Sequence, residues 1–330
     1  MVYEQFLEHI FGQVKEQLPC HCQVEQRKTI KNNGVETDSL FLLGEGIILS
    51  PGVDVKACFE AYQKGASMEE LVMQAVDTLL EPTPELAFEI ASLGNFEKQK
   101  DRVIFRLVNY EANQKRLESI PHRRILDLAV IYCLYLQEME DSSLTAMIHN
   151  EYLDMWETTE ETLYELAVEN TARILPWTVQ KLDQLLAEMV AEELDVRLPS
   201  RSEIGEDSPM LYVLSNSQGI YGASGILYPS ALQRIAADLG QDLYILPSSV
   251  HEVLLLPADP QFCCEELEEM VRQVNQSELS PEEKLSDQVY YYSRERNEIG
   301  YCSHRTDDDE IFPVTVHSHR SARCFHAFFA

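Results

Sequence analysis

The sequence predicts an α+β protein with mixed or antiparallel sheets and flanking helices, and three observations carry that expectation. Short runs rich in Val, Ile, Leu and Tyr (RVIFRLVNY, ILDLAVIYCLYLQ, DLYILP, VHEVLLLP) alternate with amphipathic stretches of helical period. Asn-Gly and Ser-Gln-Gly turns join some strands too closely for a crossover helix between them. The segments do not alternate strand and helix regularly, as a parallel α/β sheet requires. With 330 residues and 45% hydrophobic content, the chain is long enough for two or three domains and a sizeable core.

Met1 to Leu18, MVYEQFLEHIFGQVKEQL, places apolar residues on one face and Glu4, Glu8 and Glu16 elsewhere, the pattern of an amphipathic helix. No basic leader or small-residue cleavage site is legible there, so the expectation is a helix of the mature protein. CQVEQRKTIKNNGVETDSLFLL reads as a hairpin turning at Asn32-Asn33-Gly34, residues that tolerate positive φ. Gly44 to Val55 reads as a loop or short strand, and Lys56 to Gly65 as a helix stopped by the glycine. Ser67 then caps a helix with Glu69 and Glu70 in its first turn, which Pro82 and Pro84 end.

Arg102–Tyr110 is a predicted strand, with a short helix over Glu111–Ser119. Ile125–Gln137 is read as one buried strand paired with Leu144–Asn150. Thr159 opens a helix, and a further helix is expected over Val179–Glu193. PSRSEIGEDSP, Pro199–Pro209, is the most linker-like segment. Beyond it the expected order is β-β-α-β-β-α-β: MLYVLSN, YGASGILY, a helix from Pro229 to a Gly240 C-cap, DLYILP, VHEVLLLP, a helix over Cys264–Gln276 and QVYYYS. The expected organisation is an N-terminal region (1–100), a middle region (101–198), a linker (199–209), a C-terminal α+β domain (210–299) and a disordered tail (300–330).

Lys and Arg total 26 against 56 Asp and Glu, a formal charge of −30. Such a charge repels phosphate backbones, so nucleic acid is not an expected partner and a protein with a basic surface is. No run approaches the ~18 apolar residues of a membrane span. The eight cysteines are scattered, and without a secretory leader they are expected as free thiols in a cytoplasmic protein.

The segments KNNGVE, FEAYQKGAS, DRVIFRLVNYE, IPHRRILDLAVIY, MIHNEYLDMW, LYVLSN, GASGILY and DLYILPSSVHEVLLLP, in that order, resemble an uncharacterised bacterial family, a domain of unknown function common in gut anaerobes. The resemblance spans residues 2–299 and leaves out the tail. It implies a cytoplasmic or mobile-element-associated protein and brings no catalytic residues, because the family has no established activity.

The candidate pocket lies in DLYILPSSVHEVLLLP: His251, Glu252, Ser248, Ser249 and Tyr244. On a strand, His251 and Glu252 would point to opposite faces, and HEVLL lacks the second histidine of HExxH. The bland reading, that the inward member is hydrogen-bonded to the serine turn, therefore outweighs a general base in a cleft. His122 and His149 with Asp127 or Asp154 offer ligand types without ligand spacing, and an isolated Asp127 is expected to pair with Arg123 or Arg106. The tail's Cys302, His304, Asp307, His317, His319, Cys324 and His326 match no standard zinc spacing, and Cys20-His21-Cys22 and Cys263-Cys264 read as packed thiols. Gly219–Gly225 lacks the Lys-Ser/Thr of a P-loop, and Ser224 is not in a Gly-x-Ser-x-Gly elbow. No catalytic residue, cofactor or metal is assigned. The preferred reading is a non-enzymatic binding or regulatory module contacting a protein or peptide, and the alternative is a hydrolase-like enzyme using His251 in a C-terminal cleft.

Overall fold

Local signals act first at the N-terminus. The computed structural model describes residues 1–43, 52–80, 93–138, 143–187, 210–303 and 312–313. Helix α1 (Tyr3–Gln17) buries Phe6, Ile10 and Val14, one side chain per turn. Strands β1 (Gln23–Ile30) and β2 (Glu36–Leu43) form the expected hairpin, with Asn33 left-handed at its tip (φ 57°). β3 (Val53–Asp54) adds a third antiparallel strand. The Asp54 carboxylate then caps α2 (Val55–Gln63) by accepting from the Lys56 and Ala57 N–H groups. Ahead of α3 (Met68–Leu80), the Ser67 hydroxyl accepts from Glu70 N–H while Glu70 accepts from Ser67 N–H at 3.0 Å, a reciprocal cap. These elements share one apolar core from Phe6 to Leu79. Pro82 and Pro84 lie outside the described residues.

The middle sheet is antiparallel, in the order β4 (Val103–Asn109), β6 (Leu128–Glu138), β5 (His122–Ile125), with β7 (Ser143–Met147) also on β6. The apolar run from Ile125 is therefore not one strand: the chain reverses at Leu126-Asp127, with Ile125 opposite Leu128. Leu126 takes the left-handed conformation (φ 55°) without the Gly or Asn that announces such a turn. β6 reads as continuously apolar because both faces are covered. Leu128, Val130, Tyr132, Leu134 and Leu136 enter the main core, whereas Ala129, Ile131 and Cys133 enter smaller clusters opposite. Helix α4 (Asn150–Trp156) follows β7, and α5 (Glu160–Ile174) is capped by Thr159, whose hydroxyl accepts from Thr162 N–H.

The third sheet has seven antiparallel strands in the order β14-β13-β12-β10-β11-β9-β8. It comprises β8 (Trp177–Lys181), β9 (Tyr212–Asn216), β10 (Leu243–Leu246), β11 (Val253–Pro257), β12 (Tyr290–Ser293), β13 (Glu298–Tyr301) and β14 (Phe312–Pro313). Helix α6 covers residues 182–187. α7 (Ala231–Leu239) ends at Gly240 (φ 71°) as expected, and α8 (Cys264–Ser277) seats Leu267 and Val271 on the sheet face bearing Tyr244, Leu246 and Leu256. The opposite face, with Leu243, Ile245, Val253 and Leu255, joins the middle sheet in the main core. Residues 101–198 and 210–299, expected as separate regions, thus share that core: Phe105 meets Tyr228 edge-on at 5.9 Å.

Several expectations are corrected. The helix expected from Val179 begins only at residue 182, because Trp177–Lys181 pairs with β9 over five residues and edge pairing overrides local propensity. YGASGILY is not a strand. Gly222–Leu227 is a buried 3-10 segment folded back on β9, where a Cβ on Gly222 would lie 2.7 Å from Asn216 N and one on Gly225 would lie 3.2 Å from Leu214. His251 and Glu252 precede β11 in a bend rather than sitting in it, so the opposite-face argument does not apply. The expected disordered tail is revised at its start, since β13 reaches Tyr301 and Cys302 is 1% exposed. Cys264 and Cys302 are disulfide-bonded rather than free thiols, and Cys20 and Cys263 are exposed rather than packed. Residues 199–209 and the tail's His304, Asp307, His317, His319, Cys324 and His326 lie outside the described residues.

Candidate functional site

The bend between β10 and β11 is built by backbone pairing with the segment after α8. Val250 N–H donates to Glu283 O at 2.8 Å, Leu285 N–H to Ser248 O at 2.8 Å and Ser286 N–H to Pro247 O at 3.0 Å. Within the bend, the buried Ser249 hydroxyl accepts from His251 N–H at 3.0 Å and lies near the Glu252 carboxylate. Burial pushes the Glu252 carboxyl above its ordinary range. His251 and the Ser249 hydroxyl oppose that shift and Glu283 adds to it.

His251 is tied to the glycine-rich segment. Its carbonyl accepts from the Ser215 hydroxyl at 2.8 Å, its Nδ1 accepts from Tyr221 N–H at 3.4 Å, and its ring lies 5.6 Å from the Tyr221 ring. With Nδ1 accepting, the neutral ring carries its proton on Nε2. Tyr221 also receives the Arg106 guanidinium 3.9 Å over its ring, while Arg106 donates to Thr145 at 2.9 Å. Imidazole, phenol and guanidinium thus come from three distant segments. Ser215 and Tyr221 were not legible as partners of His251, nor Arg106 as the partner of Tyr221. The close glycines of GIYGASG were the one available signal that backbone approaches backbone here.

The five expected pocket residues do not form one pocket. Ser249, His251 and Glu252 meet, and Ser248 contributes its carbonyl to Leu285. Tyr244 is fully buried in the cluster beneath α8, edge-on to Phe262 at 6.4 Å, and cannot line a solvent-facing cleft. His122 bonds Ile120 O through Nδ1 at 3.0 Å, and His149 is an exposed residue at the start of α4. Asp127 pairs with neither arginine. It accepts from Ser286 and Tyr290, each at 2.6 Å, whereas Arg123 forms a two-point pair with Glu160 and Arg106 stacks on Tyr221. Tyr132 donates to the same Glu160 carboxylate, which ties the N-terminus of α5 to β6. Among the described residues, no three His, Cys, Asp or Glu side chains gather closely enough to hold a metal ion.

An open groove of about 420 Å3 lies elsewhere, between α1 and the start of α3, lined by His9, Gln13, Glu16, Gln17, Met68 and Glu69. The acidic residues exposed on α1 (Glu4, Glu8, Glu16) and α8 (Glu265, Glu266, Glu269) carry part of the negative charge. No described helix is long and apolar enough to cross a membrane.

Among the described residues, three antiparallel sheets with covering helices define an α+β protein by fold alone. Its family is specific: residues 3–294 match the model of a family of unknown function (DUF5688), and the chain belongs to that family. No curated protein and no solved structure matches the chain.

Proposed function

We propose that the protein is a non-enzymatic binding module that takes a basic protein or peptide segment on its acidic surface, in the cytoplasm and without a cofactor. The observation that carries this reading is the excess of 56 acidic over 26 basic residues together with the α1–α3 groove, whose lining includes Glu16 and Glu69 and no Lys or Arg. A Lys or Arg side chain suits it: the carboxylates face the cation and Met68 supplies apolar surface for the methylene stem. Phosphate backbones are repelled by the same charge.

The hydrolase-like alternative has less support. A general base must present an unprotonated nitrogen to its substrate, and the Nδ1 of His251 is occupied by Tyr221 N–H. Glu252, the nearest carboxylate in sequence, is engaged by Ser249.

The test is anisotropy of a fluorescent Lys/Arg-rich peptide with the full chain across a salt series. Glu16→Lys with Glu69→Lys is compared with Glu165→Lys with Glu169→Lys on the exposed side of α5. Binding is expected to weaken with salt, and the groove pair to lose on the order of tenfold more affinity than the control pair. Equal losses would remove the groove from the reading, and no salt-dependent binding would remove the reading itself.

A further inference from the structure

We propose that Cys264 and Cys302 are a redox-modification site, a conditional disulfide that fastens the end of β13 to the first residue of α8. The two residues are 38 positions apart, bonded, with Cα atoms 5.8 Å apart. Packing brings them together without help from the bond. β13 is registered on β12 with Tyr301 opposite Tyr290, Cys302 N–H donates to Val289 O at 2.8 Å, and α8 is seated by Leu267 and Val271 in the cluster that includes Cys302. Both residues are therefore held at this seam by strand pairing and apolar packing as well as by the bond.

The other thiols argue that the bond is conditional. Cys20 and Cys263 are exposed and free, and Cys22 and Cys58 are half-buried and free. Single exposed thiols suit a reducing compartment, where a disulfide that forms is transient and signals oxidation. Cys263, beside the pair in sequence, donates its thiol to the Glu265 carboxylate and is the nearest competitor in sequence.

The chemistry balances with a low-molecular-weight disulfide of the glutathione type as oxidant. Cys264 is half-exposed and stands in the first turn of α8, so its thiolate is the entry point; the helix N-terminus favours it, against the opposing charges of Glu265 and Glu266. It attacks one sulfur of the oxidant, forming a mixed disulfide and releasing one thiolate. Cys302, after losing its proton, attacks the Cys264 sulfur and expels the second thiolate. The two cysteine thiols are oxidised to one disulfide, the oxidant is reduced to two thiols, and these carry the two protons. A dithiol reverses the sequence.

The experiment equilibrates the full chain in buffers of graded glutathione to glutathione-disulfide ratio, quenches in acid, alkylates, and maps the cysteines by mass spectrometry. A Cys264–Cys302 cross-link that closes at oxidising ratios and opens at reducing ones supports the site, with Cys20, Cys22 and Cys58 entering no intramolecular cross-link. Two free thiols at the most oxidising ratio, or a bond that survives the most reducing one, overturns it. A Cys263→Ser variant should keep the cross-link, and its loss there would overturn the pairing. Hydrogen exchange over Glu298–Cys302 should slow about tenfold on closure, because the bond removes local opening of that strand. Unchanged exchange would overturn the fastening role.

Discussion

The Tyr290 hydroxyl donates to Asp127 Oδ1 across 2.6 Å, joining two sheets through residues 163 positions apart. The other carboxylate oxygen accepts from the Ser286 hydroxyl at 2.6 Å, so one side chain in the β5–β6 turn holds both β12 and the segment before it. Tyr290 is fully buried, and burial with the Asp127 charge beside it drives its hydroxyl pKa upward.

Asp127→Ala leaves both hydroxyls without their acceptor and is expected to cost on the order of 2–4 kcal/mol. Tyr290→Phe removes one donor and should cost about 1 kcal/mol. Urea midpoints for the two single variants and the double variant measure the coupling, which is expected to be non-additive. Strict additivity would show that the two residues do not act together.

Asn33 bonds two other segments from the tip of the first hairpin. Its side-chain amide donates to Pro281 O and Lys284 O, and its carbonyl oxygen accepts from Asn113. Asn33→Gly keeps the left-handed backbone but loses these bonds, an expected loss of about 1–3 kcal/mol. Asn33→Ala should lose roughly 1 kcal/mol more through its φ of 57°. Chemical denaturation of the pair separates the two effects.

Gly222→Ala should be far more damaging than Gly219→Ala. At Gly222 a Cβ would lie 2.6 Å from His251 O and 2.7 Å from Asn216 N, backbone atoms that cannot turn away. At Gly219 there is open space and only the positive φ to overcome. The expected costs are roughly 3 kcal/mol or more against about 1 kcal/mol, read as the difference in melting temperature.

Glu252 makes stability depend on pH. Its carboxyl is raised in the folded state, so its contribution is greatest below the ordinary Glu pKa of 4.5 and is lost as pH rises through the folded value. Glu252→Gln keeps a side chain able to bond Ser249 without the charge. It should therefore stabilise the protein at neutral pH and flatten this part of the profile. Denaturation at pH 4 and pH 7 checks the sign, and a variant less stable than the parent at pH 7 would contradict it.

Much of the architecture is legible where the signal is local. The apolar spacing of α1, the Asn32–Gly34 turn, the Ser67–Glu70 cap, the Thr159 cap and the Gly240 stop each act within a few residues, and each forms as expected. The apolar run into β6 marked burial correctly but hid its reversal, because Leu126 enters the left-handed region without a characteristic turn residue.

The sequence by itself determined the α+β class, the main helices and strands and the negative surface, since periodicity, capping and charge are properties of short stretches. Only the tertiary structure decided that Trp177–Lys181 is an edge strand, that GASGIL folds back on β9, that His251 lies against Tyr221, that Asp127 serves Tyr290 and Ser286, and that Cys264 meets Cys302. These outcomes depend on strand register and on which faces close over a shared core. Apart from the short fold-back of GASGIL on β9, they join residues from 30 to 163 positions apart, beyond the reach of local propensity.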